Sequence, residues 1–257
     1  MYLNTENINA SLKDYAKVGP FDHCVIDNFF KLDVAKKLEQ DFPDYDSDIW
    51  QNYNNPLEVK KLNNIWNHFP KTTYKVLNYL NSLEFISILE KKIFNNKKLY
   101  SDLGLNGGGW HIHKSGGKLN THLDYSVHPK LELQRKLNII IYLNSNWQKV
   151  WGGSLGMWSS KSSKKPGKLI KSIEPKFNRA VLFDTTQNSW HGLPEPIKCP
   201  NNEFRKSLAV YYLCDAPKET SKRGKALFAP TEKQKNDKEI LELIKKRSSI
   251  TSAKKVY

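Results

Sequence analysis

The spacing of apolar residues divides the chain into a helical first part and a strand-rich second part. In the first part, Val34, Leu38 and Phe42 recur at the spacing of one helix face. This pattern predicts a helix that begins at Leu32, with Asp33 as its N-cap. Its apolar face is expected to support a sheet.

The remainder of the first part predicts only short elements and a loop, followed by two more helices. Residues 1–20 are polar and should form an arm or a short helix, and a strand is expected from Cys24 onward. Residues 44–57, rich in Asp, Asn, Tyr and Trp, should form a loop. Between residues 72 and 94, two helical patterns follow one another.

After residue 98, strand-like segments replace the helical ones, with turn residues every eight to twelve positions. The segment 137–143 is almost continuously apolar, as a strand buried on both faces would be. Eight segments are counted, the number expected of a jelly roll: 110–113, 118–124, 137–143, 154–158, 168–173, 179–183, 189–193 and 204–213. The predicted fold is therefore α+β, a double-stranded β-helix (jelly roll) core of eight strands with N-terminal supporting helices.

This pattern predicts one domain in three stretches. Residues 1–97 form the supporting region, 98–214 the jelly-roll core, and 215–257 a basic C-terminal extension. The extension is expected to be irregular over 215–230 and to contain a short helix over 239–247.

Composition indicates the charge of the protein and its expected location in the cell. The net charge is +15, and residues 216–257 carry 12 Lys and Arg against 5 Asp and Glu. A second basic cluster lies in residues 161–171, expected to be a loop; both favour acidic partners without identifying them. No apolar run approaches the ~20 residues of a membrane span, the N-terminal residues do not resemble a signal peptide, and three scattered cysteines suggest reduced thiols. A cytoplasmic protein is expected.

The candidate chemistry begins at His122 and Asp124. Residues two apart on a strand point to the same side, so an imidazole nitrogen and a carboxylate oxygen can converge on one point. One further histidine would complete the two-His, one-carboxylate triad of non-haem iron(II) enzymes. His191, on the seventh strand segment, lies where a barrel could bring it beside this pair.

A second pair follows on the last strand segment. Arg205 and Ser207 are also two residues apart and should face the same way. A guanidinium group with a neighbouring hydroxyl suits a carboxylate, which the arginine can bind through two hydrogen bonds.

In this order and spacing, the motifs resemble those of the 2-oxoglutarate and iron(II)-dependent dioxygenase superfamily, and more narrowly its prolyl 4-hydroxylase-like branch. The segments around Tyr142, Trp151–Leu155 and Phe177–Phe183 resemble the branch's intervening strands. The resemblance covers about residues 98–214, with weaker support from Phe21 onward.

By resemblance, His122, Asp124 and His191 would be the iron ligands. Arg205 would bind the distal carboxylate of 2-oxoglutarate with help from Ser207 and Tyr142, and Leu155 and Met157 would line the cosubstrate pocket. The implied cofactors are Fe(II), 2-oxoglutarate as cosubstrate and O2, with ascorbate as a stimulant. Tyr142 and Leu155 also fit simple core packing.

His111 and His113 fit the opening ligands of a cupin, but no glutamate follows at the required distance, so a metal role is rejected. One of the two is expected to face the pocket, because the branch often has a polar residue on its first core strand.

The resemblance favours a prolyl residue of a peptide or protein as the substrate, to be hydroxylated at an unactivated C–H bond. The alternatives left open are a nucleotide-sugar or other small acidic metabolite, and a non-catalytic jelly-roll binding module. Nucleic acid is disfavoured, because Tyr211 stands where the repair branch carries a second arginine.

Overall fold

The computed structural model describes residues 2–221, 223 and 225–248. It confirms the α+β double-stranded β-helix: two mainly antiparallel sheets face each other, and helices cover one of them. The helices are α1 (Thr5–Leu12), α2 (Leu32–Gln40), α3 (Lys71–Leu80), α4 (Leu83–Ile93) and α5 (Lys238–Ser248).

The larger sheet has nine strands among the described residues. Its main path runs β1 (His23–Ile26), β11 (Ala180–Asp184), β8 (Gln134–Tyr142), β13 (Arg205–Cys214), β5 (Gly109–His113), β3 (Glu58–Asn63) and β2 (Gln51–Asn55). Two short strands attach at its side, β4 (Tyr100–Ser101) on β13 and β6 (Lys118–Leu119) on β3.

The smaller sheet has five strands. In order they are β10 (Lys165–Ile173), β9 (Leu155–Ser162), β12 (His191–Gly192), β7 (His122–Leu123) and β14 (Leu227–Phe228). Both predicted histidine ligands therefore lie at its centre, on adjacent strands.

The two faces of the larger sheet have different partners. On β8 and β13, Ile139, Ile141, Leu208 and Val210 belong to the main core, which they share with the apolar faces of the helices. Alternate residues of β8, Ile140 and Tyr142, face the other way and pack in a second core with residues of β9 and β11. Side chains on a strand alternate between faces, so this doubly buried strand explains the continuous apolar run of β8.

Several local predictions are wrong. Within the expected loop 44–57, β2 begins at Gln51 and pairs with β3 as an antiparallel hairpin, although its side chains are mostly exposed and show no apolar alternation. Residues 118–124 are two strands in different sheets rather than one. The basic stretch 161–171 is largely β9–β10 hairpin, and the expected irregular stretch 215–230 contains β14.

Asp33 is not the N-cap of α2. The cap is Lys31, which makes no side-chain hydrogen bond to the helix, and Asp33 lies in the first turn, where its charge complements the helix dipole. None of the helices in the described part of the chain is long and apolar enough to cross a membrane. The division into three stretches stays a prediction, and its last nine residues lie outside the described ones.

Candidate active site

The structure brings His122, Asp124 and His191 together between the two sheets. His122 of β7 is the register partner of His191 of β12, and their ring centroids are 4.3 Å apart. Asp124 follows β7 directly. One potential ligand atom from each residue lies within 4.8 Å of the others, and all three side chains are buried.

Backbone carbonyls orient both imidazole rings. His122 Nδ1 lies 2.9 Å from the carbonyl oxygen of Asn120, and His191 Nδ1 lies 2.8 Å from that of Ser189. Each Nδ1 therefore donates its proton to a carbonyl oxygen, so Nε2 is the nitrogen of each ring that faces Asp124. Burial, followed by the neighbouring His191, lowers the pKa of His122 to about 3, so its ring is neutral at physiological pH.

Asp124 supplies the negative charge of the group. Burial alone would raise the pKa of its carboxyl, but His191 and then Arg135 outweigh that effect and bring the pKa below its ordinary value. The Oδ2 atom of Asp124 is buried and has no hydrogen-bond partner among the described residues. An orphaned carboxylate oxygen beside two imidazole lone pairs suits a divalent transition metal, so these residues fit the implied iron.

Arg135 supports Asp124, and the sequence reading missed it. Its guanidinium carbon lies 3.3 Å from the ring centroid of Tyr125 and 3.4 Å from that of Tyr211, and its Nη1 lies 3.7 Å from Asp124 Oδ1. Arg135 and the core residue Leu137 are two positions apart on β8, so regular alternation would turn both side chains towards the main core. A β-bulge between them shifts the register against β13 and turns Arg135 towards the cavity.

Arg205 lies at the deep end of the same cavity and is 4% exposed. Its Nε donates a 2.6 Å hydrogen bond to the carbonyl oxygen of Gly153, which leaves the two terminal amino groups for a ligand. The Tyr142 ring centroid is 4.9 Å from the guanidinium carbon, and Tyr142 is the register partner of Ser207. The hydroxyl of Tyr142 is buried without a hydrogen-bond partner in the described part of the chain. These three side chains can together bind a carboxylate.

The structure also shows where the other predicted pocket residues lie. Leu155, the first residue of β9, lines the cavity, whereas Met157 packs beside His191 as its register partner. His111 and His113 both line it, rather than only one, because residues two apart on β5 face the same side.

The cavity has a volume of about 360 Å³, and its wall includes charged residues that sequence reasoning did not assign. Glu58 and Lys60 come from the β2–β3 hairpin, and Arg247 comes from α5. The apolar residues of β3, Val59 and Leu62, do not alternate regularly with polar ones, so only the pairing of β3 with β5 shows that Glu58 and Lys60 reach the site.

Comparisons with known proteins agree with this geometry. Residues 108–213 match the family model described as the 2OG-Fe(II) oxygenase superfamily. Prolyl 3-hydroxylase OGFOD1 of Xenopus laevis is 34% identical over 78 residues, which are 30% of this chain and 15% of the relative. The mouse protein of the same name is 24% identical over 191 residues, 69% of this chain and 30% of the relative. The chain thus matches less than a third of the length of these relatives.

Solved structures share the fold. A prolyl-4-hydroxylase from Pseudomonas putida superposes with a TM-score of 0.59 at 16% identity, covering 81% of this chain and 100% of that one. A Trichoplax adhaerens prolyl hydroxylase, solved with a hypoxia inducible factor oxygen degradation domain peptide, gives 0.56 at 19% identity, covering 81% and 90%. The metal-ligand group and the carboxylate clamp both lie in or beside this shared fold, and residues 108–213 are similar to the 2OG-Fe(II) oxygenase superfamily that the family model describes.

Proposed function

We propose that this protein is an Fe(II)- and 2-oxoglutarate-dependent dioxygenase that hydroxylates a prolyl residue of a peptide or protein. One observation carries the proposal. His122, Asp124 and His191 face the same cavity as Arg205 and its neighbours, so one cavity offers a metal site and a carboxylate site.

The bound metal would supply the oxygen activation that protein side chains cannot provide. The two histidines and Asp124 would hold it through two imidazole nitrogens and one carboxylate oxygen. Arg205 would anchor the distal carboxylate of 2-oxoglutarate, with the Ser207 and Tyr142 hydroxyls as further donors. Burial raises the pKa of Tyr142, so its hydroxyl keeps the proton that it donates.

The relatives support a peptide substrate. The curated relatives are named as prolyl 3-hydroxylases, and one structural neighbour was solved with a peptide fragment. The cytoplasmic location expected from the sequence stays a proposal as well; the three cysteines, all buried and free, are compatible with it.

The test is succinate formation from 2-oxoglutarate. Protein purified without oxygen would receive iron(II), ascorbate and oxygen, with and without prolyl peptides, and wild type would be compared with Asp124→Ala. We expect turnover, stimulated by a suitable peptide, in wild type alone. Because Asp124 supplies the only carboxylate of the triad, its loss should also abolish metal binding, measured separately by calorimetry with Mn(II).

If folded wild type bound neither metal nor 2-oxoglutarate, that result would contradict the proposal and favour the binding module instead. If acidic sugars but no prolyl peptide stimulated turnover, the dioxygenase activity would stand and the proposed substrate would be replaced.

A further inference from the structure

The outer part of the cavity carries more positive than negative charge. Among the described residues that line the cavity, Asp124 faces Arg135, and Arg205 lies at the deep end. The outer part, here called the mouth, is lined by three basic residues and one carboxylate: Lys60, Lys225, Arg247 and Glu58.

The strand register separates this mouth from the cosubstrate clamp. Arg205 of β13 pairs with His113 of β5, and Lys60 falls level with His113, one position beyond the pair that Lys61 forms with β5. Adjacent strands lie ~4.8 Å apart, so Lys60 is about 10 Å across the sheet from Arg205. Beyond Lys60 comes Tyr53 on the edge strand β2. The row thus runs from the buried clamp to the partly exposed Lys60, whose side chain is 13% exposed.

The charges at the mouth are not balanced. Lys60 Nζ lies 3.2 Å from Glu58 Oε2, and Arg247 Nη2 lies 2.5 Å from Glu58 Oε1. One carboxylate is therefore shared by two cations, and Lys225 adds a third. Burial and then the nearby Arg247 lower the pKa of Lys225, as expected where like charges crowd. An incoming anion would relieve this repulsion.

A second, independent observation also indicates a missing ligand. His113 is 3% exposed, and neither of its ring nitrogens has a hydrogen-bond partner in the described part of the chain. Buried polar groups are normally partnered. The ring lies between Lys60 and Arg205 in the row, where one nitrogen can donate a hydrogen bond to an anion held by Lys60.

We infer that the mouth of the cavity is a carboxylate subsite for the primary substrate. The substrate is a prolyl peptide with an Asp or Glu close to the target residue, and Lys60 and His113 bind that carboxylate while Lys225 and Arg247 add attraction. This inference rests on the proposed function and specifies its substrate class.

The test measures peptide binding to protein loaded with Mn(II) and 2-oxoglutarate, by fluorescence anisotropy. Five labelled peptides share one sequence frame: three carry Glu, Gln or Lys beside the proline, and two carry Glu or Gln beside an alanine that replaces the proline. Wild type should bind the Glu peptide about tenfold tighter than the Gln peptide, the ratio that ~1.4 kcal/mol gives. Lys60→Gln should remove most of that preference, and Lys60→Glu should transfer it to the Lys peptide.

Lys61→Gln is the matched control, because Lys61 is adjacent in sequence, contacts Tyr45 on the other face of β3, and should leave the preference unchanged. Thermal unfolding checks that each variant folds. If Lys60→Gln does not, Lys225→Gln leaves both ion pairs of Glu58 in place and should reduce the preference about threefold, the ratio that ~0.7 kcal/mol gives.

Equal affinity of wild type for the Glu and Gln peptides would overturn the inference. So would a Lys60→Gln variant that loses 2-oxoglutarate affinity but keeps the peptide preference, because the residue would then serve the cosubstrate. Failure of the proposed function can be distinguished from failure of this inference. If wild type still prefers Glu to Gln when alanine replaces proline, the carboxylate subsite is retained and the prolyl substrate is rejected.

Discussion

Gly153 positions the cosubstrate clamp, and adding one methyl group there should test it. Gly153 has φ +75°, and a Cβ at this position would lie 2.9 Å from Arg205 Cδ and 3.2 Å from Trp147 Cζ2. In Gly153→Ala, the Arg205 side chain must therefore move. Its 2.6 Å hydrogen bond to the Gly153 carbonyl oxygen would lengthen or break.

The size of the effect follows from that bond. A hydrogen bond to a charged group contributes about 1.5–3 kcal/mol, and here its loss also misplaces the amino groups that bind the ligand. If that free energy appears in binding, the Kd of 2-oxoglutarate should rise about ten- to a hundredfold. Backbone strain of about 1–2 kcal/mol, from alanine at positive φ, should appear separately as lost stability.

The assay is calorimetric titration of 2-oxoglutarate into Mn(II)-loaded protein. Gly152→Ala is the control, because Gly152 has φ +73° but a Cβ there would meet only the Pro196 carbonyl oxygen, at 4.0 Å. Both variants should lose stability in chemical denaturation, whereas only Gly153→Ala should lose 2-oxoglutarate affinity. Mn(II) affinity should be unchanged in both.

Equal loss of 2-oxoglutarate affinity in the two variants would refute this reasoning, since strain alone would then explain it. Unchanged affinity in folded Gly153→Ala would show that Arg205 does not need its bond to the loop.

Two further predictions concern buried groups of the cavity. Burial alone would raise the pKa of Glu58, but Lys60 and Arg247 bring it down to about 2, so its charge stabilises the fold above about pH 4.5 and this contribution is lost as pH falls towards 2. Glu58→Gln should therefore cost about 3 kcal/mol in chemical denaturation at pH 7, and a gap that stays constant down to pH 3 would contradict the pairing. Tyr142→Phe should raise the Kd of 2-oxoglutarate about three- to tenfold without loss of stability, because the hydroxyl has no partner in the described protein. Tyr212→Phe is its control: the Tyr212 hydroxyl donates to the Leu80 carbonyl oxygen at 2.9 Å, so stability alone should fall, and equal behaviour of the two variants would count against the assigned role.

Local pattern was enough for much of the fold. The eight predicted core segments all contain strands, since alternation and β-branched runs depend on neighbours within a few residues. The same period of two predicted that His122 and Asp124 face one side, as do Arg205 and Ser207, and all four residues line the cavity. The resemblance to the dioxygenase superfamily followed from the order of those pairs.

Other features depend on contacts between distant segments. The β2–β3 hairpin has no apolar alternation, and it is a strand pair because β5 offers it an edge. Arg135 faces the cavity only because a bulge against β13 breaks the parity of β8, which no local window of sequence reveals.

Residue spacing indicated which side chains could bind a metal and a carboxylate, because spacing along a strand fixes the side that each residue faces. The position of His191 level with His122, and the sharing of Glu58 by Lys60 and Arg247 at the mouth of the cavity, follow from the folded arrangement alone. Register and helix docking are set by the packing of whole sheets, to which each of these residues contributes only a small part of the free energy.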